Sequence, residues 1–328
     1  MRSSTSTPNG RPAIVCLGGA TVDRTYRARA PLAAGTSNPV SAAVSGFGGV
    51  ARNVAENLAR LGVSTGLVSI VGDDGAGSAL ASDLAGRGVA SRLTAATGGR
   101  TAEYLAVLQP SGALAFGLAD MDVLDAMTPE LIDEAWPLLS EAAWVFADCN
   151  LPMEALAYLI ERRRERRAFQ VAVDAVSIPK ARRLPEDLAG VDLLFANRDE
   201  ACALVDADPI AGSPEELVRS VLSRRAGGMV MTLGQGGGLA ADPDGSMTML
   251  PAVTADVVDV TGAGDALIAG TLSRVIEGVP LREALRTGLV AAALAIESRG
   301  SVRPDLSRGL LQDAMRRIEA PRDSEDAQ

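Results

Sequence analysis

A short segment late in the chain combines small residues with a carboxylate. Gly262, Ala263 and Gly264 directly precede Asp265, and an apolar stretch continues through Leu272. A small-residue loop that opens an apolar helix presents unpaired backbone N–H groups at the positive end of that helix, and such groups bind anions. A carboxylate beside the loop would repel an anion unless it accepts the proton of a hydroxyl that attacks phosphorus. The alternative is an Asp that only caps the helix.

The amino-acid composition excludes several other mechanisms. The 328 residues include no histidine, so Ser-His-Asp or Cys-His hydrolysis, His-ligated zinc and a histidine phosphoryl carrier are ruled out. Proton transfer must therefore use Asp, Glu, Lys, Tyr or Cys. With 41 acidic and 31 basic residues, the net charge of −10 opposes general attraction to nucleic acid or to an anionic membrane. We expect a small-molecule substrate at a local site, with neither nucleic acid nor membrane as a partner.

Cysteine spacing and hydrophobicity predict a cytoplasmic protein. Cys16, Cys149 and Cys202 are widely spaced and odd in number, which indicates neither a disulfide framework nor a metal cluster. The longest apolar runs, such as residues 289–296, are shorter than the ~18 residues that a membrane span requires. Residues 1–12 are polar and lack a hydrophobic targeting core, so we interpret them as a disordered lead-in.

Short apolar segments alternate with helical patterns along most of the chain. Val50, Val54, Leu58 and Leu61 recur at intervals of three and four, which predicts a helix that ends at Gly62. The segments typical of buried strands are 13–17, 66–71, 144–147, 170–174, 192–196 and 228–232. Strands that alternate with helices favour a mostly parallel sheet covered on both faces, which is an α/β fold.

One region departs from this alternation. Two apolar segments between residues 100 and 118 flank the turn Gln109–Gly112, an arrangement typical of a hairpin. Together with residues 24–45, this hairpin would form a small antiparallel β lid at one edge of a single domain over residues 13–318. Residues 319–328 are polar, and we predict that they form a flexible tail.

Apolar positions on the lid bear on the oligomeric state. A lid that packs Leu105, Val107 and Phe116 against a second copy of the chain would make the protein a homodimer. The sequence alone leaves monomer and dimer open.

The small-residue loop and several other features resemble the ribokinase (PfkB) family of carbohydrate and nucleoside kinases. The loop matches the family signature from Asp259 through Thr261 to Asp265, although Val260-Thr261 replaces the usual Thr-Thr. The other features follow the family's order: Gly18-Gly19 with Asp23, Gly48-Gly49-Val-Ala-Arg-Asn53, Asn197-Arg-Asp-Glu200 and Thr232-Leu-Gly234-Gln-Gly-Gly237. The resemblance spans about residues 13 to 305 and implies a ribokinase-like, three-layer α/β/α fold with a mostly parallel sheet and a small antiparallel β lid.

The resemblance also implies a role for each matched residue. Asp265 would be the catalytic base, and the amides of Gly262, Ala263 and Gly264 would stabilise charge on the transferred phosphoryl group. The residues implied to hold the sugar are Asp23, Gly48, Gly49 and Asn53. The residues implied to border ATP are Asn197, Thr232, Gly234 and Gly237. The structural alternatives are a polar residue on an exposed helical face for Asn53 and an ordinary turn for the glycines.

The resemblance implies cations at two places. Glu200, and Asn197 through water, would organise Mg²⁺ near the nucleotide phosphates, a task suited to oxygen ligands. An ordinary first-turn acid is the alternative for Glu200. Asp259, with backbone oxygens near Val257 and residues 298–301, is where a monovalent cation such as K⁺ would bind.

Within the family, several segments resemble the pseudouridine kinase branch. They are Asn38-Pro-Val40, the stretch from Gly48 to Gly62, Ala119-Asp-Met121 with Leu124 and Thr128-Pro129, Asp148-Cys-Asn-Leu-Pro152, and Val173-Asp-Ala-Val-Ser177 with Lys180. Cys149 and Ala175 depart from the leucine and proline typical of that branch. The implied reaction is ATP-dependent phosphorylation of the 5′-hydroxyl of pseudouridine. The hairpin would then fold over the sugar and exclude water that would otherwise hydrolyse ATP.

Three alternatives remain at this point. The acceptor could be another nucleoside or sugar, such as uridine, inosine, ribose or a hexose derivative. The fold could serve a non-catalytic sugar or nucleotide sensor, although the presence of Asp265 with its loop argues against this. A Rossmann-type dehydrogenase built on residues 234–238 is weaker, because this turn lacks the required strand-to-helix glycine register.

Overall fold

The computed structural model describes residues 11–208 and 212–319. Its strands are β1 (Ile14–Leu17), β2 (Thr21–Ala28), β3 (Val40–Gly48), β4 (Thr65–Gly72), β5 (Ala90–Ala96), β6 (Glu103–Leu108), β7 (Leu114–Asp120), β8 (Trp144–Asp148), β9 (Gln170–Asp174), β10 (Leu193–Asn197), β11 (Met229–Thr232), β12 (Gly238–Ala241) and β13 (Met247–Leu250). Its helices are α1 (Val50–Arg60), α2 (Gly75–Gly86), α3 (Pro129–Leu139), α4 (Met153–Arg166), α5 (Ile178–Ala181), α6 (Arg198–Val205), α7 (Pro214–Leu222), α8 (Ala263–Val275), α9 (Leu281–Ile296) and α10 (Arg308–Glu319). Most of the predicted lead-in and tail, residues 1–10 and 320–328, lies outside the described residues.

The larger sheet has nine strands in the order β13-β12-β11-β10-β9-β8-β1-β4-β5. Along this order the neighbours from β5 to β11 pair in parallel, and β12 and β13 extend the sheet antiparallel at one edge. Helices connect most of the parallel strands, as a parallel crossover requires. The predicted mostly parallel α/β sheet is confirmed.

Alternate residues of the central strands contribute to two different cores. In β1, Val15 and Leu17 join the core that contains α3, α4, α6 and α7, whereas Ile14 and Cys16 join the core that contains α1, α2, α8 and α9. The alternation follows from the two-residue repeat of a strand, and it makes a strand between two helical layers apolar on both faces. The three-layer α/β/α architecture is therefore confirmed. None of the helices within the described ranges is long and apolar enough to cross a bilayer.

A second sheet of four strands in the order β3-β2-β6-β7 forms the lid. The pairs β2–β3 and β6–β7 are antiparallel, and the central pair β2–β6 is parallel. The predicted hairpin is the β6–β7 pair, where the amide of Gln109 donates to the carbonyl of Ala113 at 2.8 Å.

All of the lid strands join the rest of the protein at one end. At this end, which we term the lid root, Phe47, Val22, Glu103 and Asp120 form one row across the strands. The turns between β2 and β3 and between β6 and β7 lie at the opposite end, the lid tip. The lid therefore projects from the large sheet as one unit.

The buried carboxylate of Asp148, at the end of β8, holds three segments together. Its Oδ2 accepts hydrogen bonds from the amide of Gly19 at 2.9 Å and from the amide of Ala51 at 2.8 Å. Its Oδ1 accepts the amide of Asn150 at 2.9 Å. Burial raises the pKa of Asp148, and these amide donors oppose that rise. The first turn of α1 and the turn after β1 are thus fixed to the sheet by one side chain.

We expect Asp148→Ala to destabilise the fold strongly. The change leaves the amides of Gly19, Ala51 and Asn150 without their acceptor in a buried place, which should lower the free energy of unfolding by about 3–5 kcal/mol in urea denaturation. The control is Asp244→Ala, since the Asp244 carboxylate accepts the amide of Ser246 in an exposed turn. Asp244→Ala should lower the free energy of unfolding far less, because its hydrogen bond is exposed to water. Equal losses in the two variants would contradict the anchoring role of Asp148.

Candidate active site

The residues predicted to do chemistry come together along one edge of the large sheet. Asn197 ends β10, Thr232 ends β11, Asp265 lies in the first turn of α8, Asn53 lies in α1, and Asp23 lies in β2 near the lid root. In open parallel sheets the carboxyl ends of the strands form the usual ligand crevice. The structure therefore places residues separated by more than 200 positions around one cleft.

Asp265 is held in place by a residue from another helix. The amide nitrogen of Asn53, Nδ2, donates to Oδ2 of Asp265 at 2.8 Å. Gly262 caps α8 with a left-handed φ of 76°. A methyl group at this position would lie 1.9 Å from the carbonyl oxygen of Ser301, so only glycine fits. Asn53 therefore holds the Asp265 carboxylate, and the loop before it lies close to the backbone of Ser301.

The loop before Asp265 offers open donors, although not all those predicted. Among the described residues, none accepts a hydrogen bond from the amides of Gly262 or Gly264. The amide of Ala263 already donates a long bond of 3.3 Å to the carbonyl of Val260. A methyl group at Gly264 would meet no atom within 4 Å, and Gly264 lines the cavity described below. Gly262 and Gly264 are thus the freer members of the predicted anion-binding set.

The electrostatic surroundings of Asp265 tune its acidity. Burial raises its pKa to about 7, and the negative charges of Asp148 and Asp23 act in the same direction. The hydrogen bond from Asn53 and the positive charge of Arg52 oppose the rise. A carboxyl group with a pKa near neutrality can accept and release a proton under physiological conditions.

Asp23 and the glycine pair before α1 are packed against each other. The hydroxyl of Thr21 donates to Oδ1 of Asp23 at 2.8 Å, and the hydroxyl of Ser301 lies 3.5 Å from Oδ2. A methyl group at Gly48 would lie 2.0 Å from the same Oδ2. Gly49 has a φ of 93°, and a methyl group there would lie 2.4 Å from the carbonyl oxygen of Gly19. The predicted sugar-binding residues thus form one contiguous surface at the lid root.

The residues predicted to border the nucleotide line a cavity of about 720 Å³ next to the start of α8. Its lining includes Thr232, Gly234 and Gly237 from the end of β11 and the turn after it, and Ala263 and Gly264 from the start of α8. Its remaining wall is largely apolar and includes Val253, Leu289, Ala292, Ala293 and Ile296. A cavity with an apolar wall and open amides at one end suits a ligand that has a flat apolar part and an anionic part.

Asn197 and Glu200 bind each other at the start of α6. The Asn197 side chain accepts the amide of Glu200 at 2.9 Å, and the Glu200 carboxylate accepts the amide of Asn197 at 2.8 Å. This capping box lies beside the cavity, because Asn197 is the direct β-sheet partner of Thr232. Burial raises the pKa of Glu200. Across residues 11–208 and 212–319, no group of three or more acidic, Cys or His side chains is arranged to hold a metal ion by itself.

Asp259 joins the loop before α8 to the loop after α9. Its carboxylate accepts the amide of Thr261 at 3.0 Å and the amide of Gly300 at 3.2 Å. Burial opposes ionisation of Asp259, but these hydrogen bonds outweigh it and lower the pKa of the carboxyl. The predicted cation position thus has an ionised carboxylate next to the anion-binding loop.

Sequence reasoning assigned no role to a polar group that lies beside the Gly18-Gly19 turn. Asn150 is buried, and its Nδ2 would lie 3.0 Å from a methyl group at Gly19. The ammonium group of Lys180 donates to Oδ1 of Asn150, and Nη1 of Arg183 donates to its carbonyl at 2.7 Å. Burial lowers the pKa of Lys180. Asn150 follows β8 and Lys180 follows β9. Because β8 and β9 are neighbouring parallel strands, their ends lie side by side, and this adjacency is the signal that predicts a contact between the two residues.

Sequence reasoning also gave no role to another carboxyl group at this edge. Asp174 ends β9, and burial raises its pKa well above the usual value. The carboxylates of Glu200, Asp265 and Asp148 raise it further. The acidic residues of the cleft therefore act on each other as one electrostatic group.

Comparison with known proteins relates this site to a family of kinases. The profile of the pfkB family of carbohydrate kinases matches residues 11–307. Pseudouridine kinase of Escherichia coli (strain K12) is 31% identical over 299 residues, which cover 90% of this chain and 93% of that protein. ATP-dependent ribose-1-phosphate kinase of Halopiger xanaduensis is 32% identical over 274 residues, covering 83% and 88%. A solved carbohydrate kinase from Agrobacterium tumefaciens has a TM-score of 0.81 and 31% identity, covering 92% of this chain and 96% of its own.

Replacement of Asp265 by Asn should stabilise the protein at alkaline pH. Because the folded state raises the pKa of Asp265 from 3.8 to about 7, its stabilising contribution is complete below the unfolded pKa and is lost as the pH rises through 7. The Tm of the Asn variant should therefore gain on that of the wild type between about pH 5 and pH 7 in thermal denaturation, and the difference should level off above about pH 8.

The control for this titration is Asp244→Asn. Hydrogen bonds to Ser246 lower the pKa of Asp244, so its contribution is already complete at about pH 5 and stays constant above it. If the Tm difference for Asp265→Asn is equally constant over the same range, Asp265 does not titrate near neutrality.

Proposed function

The chain belongs to the pfkB family of carbohydrate kinases, and we propose that it transfers the γ-phosphoryl group of ATP to the 5′-hydroxyl of pseudouridine. The products are pseudouridine 5′-phosphate and ADP. The observation that carries the proposal is the Asp265 carboxyl, held by Asn53 and placed beside the open amides of Gly262 and Gly264. A base next to an anion site is what phosphoryl transfer to a hydroxyl requires.

In the proposed reaction Asp265 receives the hydroxyl proton. The acceptor oxygen forms a bond to the γ-phosphorus, the bond from that phosphorus to the oxygen bridging to the β-phosphate breaks, and ADP leaves with that electron pair. The proton moves from the hydroxyl to the Asp265 carboxylate and then to solvent. The amides of Gly262 and Gly264 stabilise the charge on the phosphoryl oxygens, and such donors are typically worth about 3 kcal/mol each.

The cavity of about 720 Å³ would hold the nucleotide. Its apolar wall, which includes Val253, Leu289 and Ile296, offers surface for the adenine ring. Thr232, with a hydroxyl at its rim, and the glycine turn that follows it would border the ribose and phosphates. This arrangement directs the phosphate end toward the start of α8, where the helix terminus favours negative charge.

The residues predicted to organise cations fit that task only together with the nucleotide. Asn197 and Glu200 use several of their polar atoms on each other, so they would hold Mg²⁺ through water while the phosphates supply direct ligands. Mg²⁺ bound to ATP would neutralise phosphate charge. Asp259 keeps lone pairs beyond those used by its amide donors, which suits a monovalent cation such as K⁺.

Two features support pseudouridine as the acceptor. The relative from Escherichia coli with that name is similar over nearly the whole chain. Asn150 and Lys180 also place an amide and an ammonium donor beside the Gly18-Gly19 turn, and a uracil-type base presents carbonyl oxygens that accept such donors. Asp23 and Asn53 would bind the ribose hydroxyls.

A second acceptor class has its own support. The Halopiger xanaduensis relative, an ATP-dependent ribose-1-phosphate kinase, is similar to the same degree at 32% identity. Lys180 and Arg183 both contact Asn150 beside the Gly18-Gly19 turn, and their positive charges would also suit a sugar that carries a phosphate. Ribose, uridine, inosine and hexose derivatives share the same transfer chemistry.

The acceptor is tested by ADP release. Purified protein with ATP, Mg²⁺ and pseudouridine is compared with reactions that contain uridine, inosine, ribose, ribose 1-phosphate or fructose, each with and without K⁺. We expect pseudouridine to give the highest kcat/KM. With that acceptor, Asp265→Asn should lower kcat at least about 10²-fold, while its affinity for the nucleotide changes little. A higher kcat/KM with another acceptor would overturn the choice of substrate. If no acceptor leads to ADP release, the result would favour a sensor that only binds.

We also propose that two copies of the chain associate through the lid. Leu114, Phe116 and Leu118 on β7 are 59–60% exposed. Leu118 pairs with Leu105 and Phe116 with Val107, so these side chains share one face of the lid sheet. Apolar patches of this kind commonly mark interfaces.

We also propose that the reaction takes place in the cytoplasm. The cysteines Cys16, Cys149 and Cys202 are buried free thiols, which agrees with a reducing compartment.

Substitution of Phe116 by Asp should weaken the dimer. A charge at the centre of the apolar lid face loses its hydration when the two copies meet, so the dimer dissociation constant should rise at least about 100-fold in sedimentation equilibrium. Val44→Asp is the matched control, because Val44 is 66% exposed and lies on the opposite face of the same sheet. A wild-type protein that sediments as a monomer, or equal weakening by both variants, would contradict a dimer through this face.

A further inference from the structure

Arg52 is a buried arginine whose contacts lead to the proposed base. Its side chain is 3% exposed. Nη1 donates to Oδ1 of Asn53 at 3.1 Å and to the carbonyl oxygen of Phe47 at 3.1 Å. Nη2 pairs with Asp83 at 2.9 Å and also with Glu56. One guanidinium therefore connects the end of lid strand β3, helix α2 and the side chain that binds Asp265.

The contact with Arg52 decides which way the side-chain amide of Asn53 is oriented. An amide group has an oxygen that accepts and a nitrogen that donates, and a rotation by half a turn exchanges them. Arg52 only donates, so it selects the orientation that points Oδ1 of Asn53 toward Arg52 and Nδ2 toward Asp265. In the other orientation Oδ1 would face the Asp265 carboxylate, and two acceptors would repel each other.

We propose that Arg52 is a positioning residue, which locks the Asn53 amide in the orientation that donates to Asp265 and ties that orientation to the lid root through Phe47. With only 3% of its side chain exposed, Arg52 would act through Asn53 rather than on the substrates themselves. An arginine suits this position because its planar fork reaches several acceptors at once, which a single ammonium group cannot do. The kinetic readouts below rest on the proposed kinase function, whereas the titration does not.

The charges around Arg52 remain paired when it is replaced. Glu56 also pairs with Arg60 at 2.7 Å and with Arg87 at 2.6 Å. Asp83 also pairs with Arg87 at 2.8 Å. Loss of the Arg52 guanidinium therefore leaves neither carboxylate alone, so an effect on Asp265 can be separated from loss of the fold.

The expected direction of the titration follows from the charged groups that face Asp265. These are Asp148 at the end of β8, Asp23 on β2, Asp174 at the end of β9 and Arg52 on α1. The carboxylates raise the pKa of Asp265, and Arg52 lowers it both by its charge and through the Asn53 hydrogen bond. Removal of Arg52 should therefore move the pKa of Asp265 upward from about 7.

The first test measures Asp265 directly. The carboxyl carbon of Asp265 is followed by NMR in protein labelled with ¹³C-aspartate, and its signal is assigned by its absence in Asp265→Asn. Arg52→Met should raise the titration midpoint of Asp265 by at least about half a pH unit. Arg52→Lys keeps the positive charge, so its midpoint should lie close to that of the wild type. Arg60→Met is the matched control, because Arg60 contacts Glu56 on the same helix and should leave the midpoint unchanged. Equal midpoints in Arg52→Met and Arg60→Met would overturn the proposal.

The second test asks whether Arg52 acts through Asn53. With the best acceptor, Arg52→Met should lower kcat/KM about tenfold or more and move the acid limb of its pH profile upward. In an Asn53→Ala background the same change should have less than about a twofold effect, because no amide remains to be oriented. Losses that multiply in the double variant would overturn the proposal.

The two tests also separate this inference from the proposed function. If no acceptor is turned over by the wild type, the kinase proposal fails and the titration still decides the role of Arg52. If Arg52→Met does not fold, Arg52→Gln is measured instead. Its neutral, shorter side chain cannot span from Asn53 to Asp83, so the midpoint should shift in the same direction, and an unshifted midpoint would again overturn the proposal.

Discussion

The Asp148 carboxyl lies where the end of β8, the turn after β1 and the first turn of α1 meet, and it binds the amides of Gly19 and Ala51 in a place closed to solvent. Two parts of the proposed acceptor site start from these segments: the lid begins just after Gly19, and α1 carries Asn53. A buried charge that three backbone donors satisfy is costly to lose and hard to replace. The same charge raises the pKa of Asp265, so one carboxyl both fixes the geometry of the cleft and tunes its proposed base.

The cleft is rich in buried carboxyl groups, although the ligand proposed for it is an anion. Burial is the main cause that raises the pKa values of Asp23, Asp148, Asp174, Glu200 and Asp265. The pKa of Asp265 is raised to about 7, so this carboxyl carries only part of a negative charge near neutrality. Attraction for an anion comes instead from backbone amides at the start of α8, which add no net charge to a chain that is already acidic.

Local patterns predicted the elements well, and contacts between distant segments were the part that they missed. The spacing of Val50, Val54 and Leu58 defines α1 because a helix repeats every 3.6 residues whatever lies around it. An alternating strand looks the same in a parallel or an antiparallel pair, so the parallel pairing of β2 with β6 in the lid could not be read from periodicity. The motifs assigned roles to Asp265 and Asn53, whereas Asn150 and Lys180 lay in segments of the family resemblance without a role, and their contact follows from the pairing of β8 with β9.

All four lid strands join the rest of the protein at the lid root, so a rotation about the root would displace the lid tip much more than the root itself. From Val22, in the row at the lid root, to the end of β2 at Ala28 the strand covers roughly 20 Å at about 3.3 Å per residue. A rotation of only ten degrees about the root would carry the tip along an arc of roughly 3–4 Å, about the diameter of a water molecule. Asp23, close to the fulcrum, would travel only a small part of that distance. Solvent access at the rim and the position of the acceptor-binding carboxylate can therefore be set almost independently in this architecture.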